Sequence, residues 1–359
     1  MPPDFFKDLK IVELAAVLAG PAVGMFFAEL GADVLKIENA STGGDMTRSW
    51  RLPSENPENP VSAYWSSINF NKRIEFKNLE QPIDNQWVMS KIREADIVIS
   101  NFKPASARRL GMDAETLRTA NPKLIFAQID SFSDPEDPRP AFDIVLQAEA
   151  GLISMTGLAG GAPVRLPVAF IDLFAAHQLK EAILCALIHR GRTGNGSVVR
   201  TSLYESALAS LANQATNWLM GGEIPGRMGM AHPNIAPYGD VFLTKDGKEI
   251  VLAVGTERQF ALLCKSLPGC ENLPQLIDFQ SNKHRVKNRQ ALNLALATGF
   301  SQKNRDEFLA GFAASGVPAA RILNLKEVFD QPEAERMVLK EIIDGQLTRR
   351  VKTVAFSMR

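Results

Sequence analysis

Between residues 11 and 129 short apolar runs alternate with helix-length segments, and this alternation constrains the fold more than any other property of the chain. Runs at 11–15, 33–38, 73–76, 96–100 and 124–129 have the length of buried strands. Helical segments at 22–30, 86–94 and 114–120 lie between them, the first opened by Gly20 and Pro21. Such a strand–helix alternation predicts an α/β fold, an open parallel sheet with helices on both faces. Ligands of these sheets bind outside the carboxyl ends of the strands, where loops meet helix N-termini. Here those ends carry residues 18–21, 39–48, 101–104 and the stretch from Asp130 onward.

Beyond residue 140 the pattern changes. Segments at 143–152, 173–189 and 202–219 read as helices, and residues 221–239, rich in Gly, Pro and Met, read as a linker. A second unit then spans 240–324. Its two apolar runs flank Asp246 and Gly247, a hairpin signal. Helices at 257–266, 289–298 and 305–315 and a short strand at 319–323 complete a small α+β domain, while residues 1–220 form the large one.

Composition removes several function classes. Lys plus Arg and Asp plus Glu number 40 each, so no global field draws the chain to nucleic acid or an anionic membrane. Local basic clusters must carry any anion binding. Cys185, Cys264 and Cys270 lack metal-ligand spacing and only four histidines are present, so neither a metal site nor a disulfide framework is expected. No apolar run is long enough to span a bilayer. The opening residues 1–7 lack the pattern of a signal peptide, which gives the expectation of a cytosolic protein. The first strand lacks Gly-x-Gly-x-x-Gly, which disfavours an NAD oxidoreductase.

Asp172 stands at the mouth of the helical segment 173–189 with no Cys beside it and no evident base. An ionised carboxylate is already a nucleophile at neutral pH and suits chemistry that begins from a thioester. Asp is also a common helix cap. Taken alone, this segment favours the cap.

The ordered motifs reverse that preference. They are Ala-Gly-Pro at 19–21, Leu-Gly-Ala-Asp-Val-Leu-Lys-Ile-Glu at 30–38, Gly-Asp-Met-Thr-Arg at 44–48, and Asn-Lys-Arg at 71–73. Asn101 with Phe102, Asp143 with Gln147, Ala148 and Gly151, Asp172, and Arg-Thr-Gly-x-Gly at 192–196 follow in sequence. In this set, running from about residue 9 to about 351, the chain resembles the class III CoA transferases, the family of the formyl-CoA and carnitine CoA transferases. The resemblance implies a Rossmann-like large domain completed by residues from about 325 to 359, and a smaller domain inserted between its parts. It also implies an interlocked homodimer.

By the same resemblance Asp172 is the catalytic residue, and acyl-CoA and a free carboxylic acid are the substrates. Coenzyme A is then carried as a covalent intermediate, with no metal. Val17, Leu18 and Ala19 match the loop along the CoA thiol arm, and Asn101 and Phe102 match further CoA contacts. Lys72, Arg73, Lys103, Arg108 and Arg109 are the cations expected to meet its phosphates, each otherwise a solvated surface charge. Asp143 matches an acidic position beside the active site, or else caps the helix that follows it. Leu18 departs from the glutamine of some members, and residues 131–140 depart from the usual Gly-rich turn. The loop 232–239 carries two prolines where formyl-CoA transferase has a glycine run, so it is expected to shape the acyl pocket. Two alternatives remain: an α-methylacyl-CoA racemase and a catalytically silent CoA-binding protein. The racemase needs an acid/base His just before the position of Asp143, where this chain has Phe142.

Overall fold

The computed structural model describes residues 4–357. They divide into two compact units, one of residues 4–152, 165–223 and 332–357, the other of 153–164 and 224–331.

The first unit is built on six parallel strands: β1 (Lys10–Glu13), β2 (Asp33–Asn39), β3 (Arg73–Lys77), β4 (Ile97–Ser100), β5 (Ile125–Asp130) and β6 (Val198–Ser202). Their order across the sheet is β3-β2-β1-β4-β5-β6. The strand order therefore reverses between β1 and β4, and at such a switch point the loops leaving the two strands part to open a crevice. β4 and β5 are buried along their whole length, as a sheet covered on both faces requires. Edge strand β6 carries Arg200 and Thr201, and its polar composition hides it from periodicity.

Helix α1 (Ala19–Glu29) follows β1, and the short α2 (Ala63–Ser66) precedes β3. Then come α3 (Pro82–Arg93), α4 (Pro104–Leu110), α5 (Ala114–Ala120), α6 (Asp143–Glu149), α7 (Leu152–Met155) and α8 (Phe170–Thr193). On one face of the sheet α1 and α8 share a core that includes Phe27, Ile99, Ile171, Leu179 and Ile183. α8 buries Ile171, Ala175, Ala176, Leu179, Ile183 and Ala186, the three-to-four spacing of one helical stripe. On the other face Val88, Ile92 and Leu117 pack against Val98 and Phe126. Each such aliphatic side chain contributes roughly 1.5–3 kcal/mol when fully buried. The expected helix at 202–219 is two helices, α9 (Leu203–Ala209) and α10 (Ala212–Gly221), broken where Ala212 takes φ +44°.

The second unit holds the antiparallel strands β7 (Tyr238–Leu243), β8 (Glu249–Ala253) and β9 (Ala319–Arg321), in that spatial order. Helices α11 (Glu257–Ser266), α12 (Asn282–Lys287), α13 (Arg289–Phe300) and α14 (Arg305–Ser315) surround a core of Phe260, Phe300, Phe308 and Phe312. The boundaries differ from those expected. Residues 224–239 are part of this unit rather than a linker, because buried Arg285 donates to the Ala236 carbonyl at 2.9 Å and Arg289 donates to Ile235 at 2.6 Å. Residues 153–164 and 325–331 also belong to it.

The chain returns to the first unit as a hairpin, β10 (Val338–Ile343) and β11 (Gln346–Val351), turning through Asp344 and Gly345 at φ +47° and +82°. Arg350 donates to the Asn69 carbonyl at 3.0 Å, and Glu29 accepts the Thr353 N–H at 2.7 Å. These bonds tie the C-terminal segment to the parallel-sheet unit.

Candidate active site

Three strand ends and one helix meet in the first unit. A cavity of about 120 Å³ is lined by Val17, Leu18 and Ala19 after β1, Asn101 and Phe102 after β4, and Asp172 in the first turn of α8. A second cavity of about 500 Å³ shares Ala16, Val17 and Phe102 with it and runs past Asn39, Met46, Lys77, Leu79 and Arg109. Together they form a groove over the carboxyl ends of β1, β2 and β4. It combines apolar walls with cations at one end.

Asp172 is not a helix cap. α8 begins at Phe170, and the residue before it, Ala169, makes no side-chain cap. Asp143 performs that task from the start of α6, its Oδ2 accepting the N–H of Ile171 at 2.7 Å and of Asp172 at 3.2 Å. Nor does Asp143 cap its own helix, since the N-cap position of α6 belongs to Phe142. Its other oxygen accepts the amide of Gln147, whose carbonyl oxygen in turn accepts Leu166 N–H at 2.9 Å. The Asp172 carboxylate itself meets no hydrogen-bond donor among the described residues, although only 8% of the residue is exposed. Burial, aided by the negative charge of Asp143, pushes its acid up to about 7. A carboxylate stripped of water and left unpaired in this way is a strong nucleophile toward an acyl carbon.

The wall opposite is equally specified. Val17 adopts φ +73°, which strains a β-branched residue by about 1–3 kcal/mol. Asn101 grips the preceding residue at both backbone groups, its Oδ1 accepting Ala16 N–H at 3.2 Å and its Nδ2 donating to Ala16 O at 3.0 Å. Asp45 Oδ2 accepts Val17 N–H at 3.1 Å. Lys36 donates to the Ala15 carbonyl at 2.8 Å and lies 3.2 Å from Asp45 and 3.0 Å from Glu13. Burial works against the Lys36 ammonium, yet Glu13, Asp45 and Glu38 hold it above its ordinary value. Sequence reasoning missed Lys36 and Asp45 as parts of the site. Their signal is a lysine set among Val34, Leu35 and Ile37, and the aspartate of the Gly44-Asp45 pair. Tyr64 was also missed. Its phenol is held above its ordinary value by burial and then by the charges of Asp172, Asp143 and Asp45.

Two expected cofactor-binding cations do not reach the groove. The Lys72 side chain is fully buried, lying 2.9 Å from Glu13 and donating to the Pro21 carbonyl at 2.8 Å. Burial pulls its ammonium down to about 8. Arg73 opens β3 at the amino edge of the sheet and pairs with Asp33, which opens β2, so it faces away from the carboxyl ends. Arg109 does line the larger cavity, 2.5 Å from exposed Glu80. Lys103 lines the smaller one and donates to the Pro138 carbonyl at 3.0 Å, while Arg108 pairs with exposed Glu136. Lys77, which sequence reasoning did not single out, also lines the larger cavity. The loop 232–239 lies in the second unit, held by Arg289.

Among the described residues no cluster of His, Cys, Asp or Glu could hold a metal ion, and no helix is long and apolar enough to cross a membrane.

Comparison with known proteins gives the family. Residues 6–359 match the model of CoA-transferase family III. The chain is 37% identical to the succinate–glutarate CoA-transferase of Agrobacterium fabrum, over 97% of this chain and 88% of that protein. It is 35% identical to the succinyl-CoA:glutarate CoA-transferase of Mus musculus, over 91% and 74%. A CAIB/BAIF family protein from Brucella suis superposes with a TM-score of 0.80 at 37% identity, covering 97% of this chain and 92% of that one. Rv3272 from Mycobacterium tuberculosis superposes with a TM-score of 0.83 at 26% identity, covering 98% and 92%. The chain is an enzyme and belongs to CoA-transferase family III.

Proposed function

We propose that this CoA transferase uses Asp172 as its nucleophile and moves CoA from succinyl-CoA to a five-carbon dicarboxylate such as glutarate. The observation that carries the first part is the unpaired, buried Asp172 carboxylate beside the loop 17–19. The second part is supported by relatives named for succinate, glutarate and mesaconate at 33–37% identity.

The Asp172 carboxylate attacks the thioester carbonyl, the C–S bond breaks, and a mixed anhydride and the CoA thiolate result. The thiolate attacks the aspartyl carbonyl, expelling succinate and leaving Asp172 as a CoA thioester. The acceptor carboxylate then attacks that thioester and expels the thiolate again. Attack of the thiolate on the acceptor acyl carbon regenerates the Asp172 carboxylate. Every nucleophile is an anion, so the chemistry asks for positioning and charge stabilisation rather than a proton carrier. Racemisation would instead need an acid/base residue at Phe142, which has no proton to give.

In this reading the nucleotide end of CoA lies in the larger cavity with Arg109 and Lys77, and the thiol arm passes Val17, Leu18, Ala19 and Phe102. The enzyme works as an interlocked homodimer, the arrangement that the family resemblance implies. A panel of acyl-CoA donors against mono- and dicarboxylate acceptors, read by mass spectrometry, tests the substrate assignment. Preference for a monocarboxylate or for oxalate as acceptor would overturn it.

A further inference from the structure

The wall of the cavity beside Asp172 is made of backbone held in a conformation it would not keep unaided. A β-branched residue at positive φ persists only where its surroundings over-determine it. Here the surroundings are side chains from two neighbouring strand ends. Asp45, beyond β2, takes the Val17 N–H, and Asn101, after β4, binds both the N–H and the carbonyl of Ala16.

We propose that Asp45 and Asn101 are positioning residues for CoA transfer, holding residues 15–17 in the bend, with Val17 at positive φ, that sets the cavity wall against Asp172. The inference rests on Asp172 being the nucleophile. Asp45 is itself fully engaged: Oδ1 accepts the N–H and the hydroxyl of Thr47 at 3.1 and 2.8 Å, and Oδ2 serves Val17 and Lys36. Both ends of the Asn101 amide are likewise taken up by Ala16, so its side chain acts as a strut rather than a ligand contact. If the turn relaxed toward negative φ, Leu18 and Ala19 would be redirected, and both line the cavity with Asp172. Arg109 and Lys77 are held by Glu80 and Asp84, not by residues 15–17, and would be left in place. Loss of either strut should therefore slow the chemical step more than it weakens binding.

A double-mutant cycle in the full chain tests this. Asp45→Asn removes the charge that faces Lys36 and turns one of two oxygens, which together serve four donor groups, into a donor. Val17→Gly supplies a residue that adopts positive φ without strain. The substrate is whichever acyl-CoA of the donor panel the unmodified chain turns over fastest. D45N should lower kcat at least about tenfold while KM for the acyl-CoA changes less than about threefold, the split expected of lost alignment. In the V17G background the same change should lower kcat no more than about threefold, since the two sites are coupled. N101A should repeat the pattern, and its cycle with V17G decides the matter if D45N does not fold. Equal losses in both backgrounds, or an unchanged kcat in folded D45N, would overturn the proposal. Asp172→Ala run in parallel separates the two ideas. An active D172A protein overturns the choice of nucleophile, whereas inactive D172A beside fully active D45N and N101A overturns only the positioning role.

Discussion

The carboxylate of Asp143 accepts the backbone N–H of Asp172 at 3.2 Å, so the residue that caps α8 also places its negative charge beside the proposed nucleophile. These two functions pull in opposite directions. The cap secures the first turn of α8 and with it the position of Asp172. The charge makes Asp172 harder to ionise and more reactive once ionised.

The pH dependence of turnover should report this pairing. The nucleophile is the carboxylate, and the free enzyme holds its acid at about 7. We expect kcat/KM for the acyl-CoA to fall about tenfold per unit below that value, because this ratio follows ionisations of the free enzyme. Asp143→Asn should move the inflection to lower pH. It should not bring it to that of a free aspartate, since burial is the larger cause and remains. Asparagine caps a helix as well as aspartate does, so the variant should keep its cap and most of its stability. An inflection that stays in place would exclude Asp143 as a source of the shift.

The cations of the groove make a second, contrasting pair. Arg109→Ala should raise KM for acyl-CoA and leave kcat nearly unchanged, as loss of uniform binding does. Lys72→Met should instead cost stability, toward the low end of the roughly 3–5 kcal/mol typical of a broken buried ion pair, because Lys36 remains on Glu13. Thermal denaturation beside steady-state kinetics distinguishes the two. A KM effect in well-folded Lys72→Met would return that lysine to the binding site.

Much of this was legible in the sequence, and what was not has physical reasons. Ala114–Ala120, Glu257–Ser266 and Arg305–Ser315 have the bounds that periodicity and capping residues predict. The strand–helix alternation likewise predicts the parallel sheet, and it points to the carboxyl ends of the strands, where the proposed site lies. β6 escaped notice because its polar residues sit on an edge strand, and β10 and β11 could have been found from Asp344-Gly345, the same residue pair as Asp246-Gly247. Lys72 was misplaced because proximity to a motif says nothing about where a side chain points. The reach of Asp143 to α8 joins residues 28 and 29 positions apart, and no local pattern encodes it.

The proposed interlocked assembly predicts slow subunit exchange. Threaded chains part only by unfolding, so tagged and untagged dimers mixed under native conditions should form no hybrids over many hours. Co-denaturation followed by refolding should produce them. Size-exclusion chromatography with affinity capture makes the measurement, and hybrids appearing within minutes would rule out threading.

Asp172 offers a prediction in which catalysis and stability move in opposite directions. Its acid stands at about 7 in the folded chain against 3.8 for an ordinary aspartate. Across that window the native state holds more protons than the unfolded state, so the contribution of Asp172 to stability is complete at low pH and is lost as pH rises toward 7. Asp172→Asn cannot ionise and escapes the loss. Above pH 7 it should be more stable than the unmodified chain by up to roughly 4 kcal/mol, the shift converted at about 1.4 kcal/mol per unit, less what the amide loses by lacking a partner. Below pH 4 that advantage should vanish. The same variant should be inactive and should form no hydroxamate when treated with acyl-CoA and hydroxylamine, whereas the unmodified chain should be trapped at Asp172. A residue that merely braced the helix would give the reverse, a less stable protein with its activity preserved. Chemical denaturation at several pH values and peptide mapping of the trapped adduct decide between them.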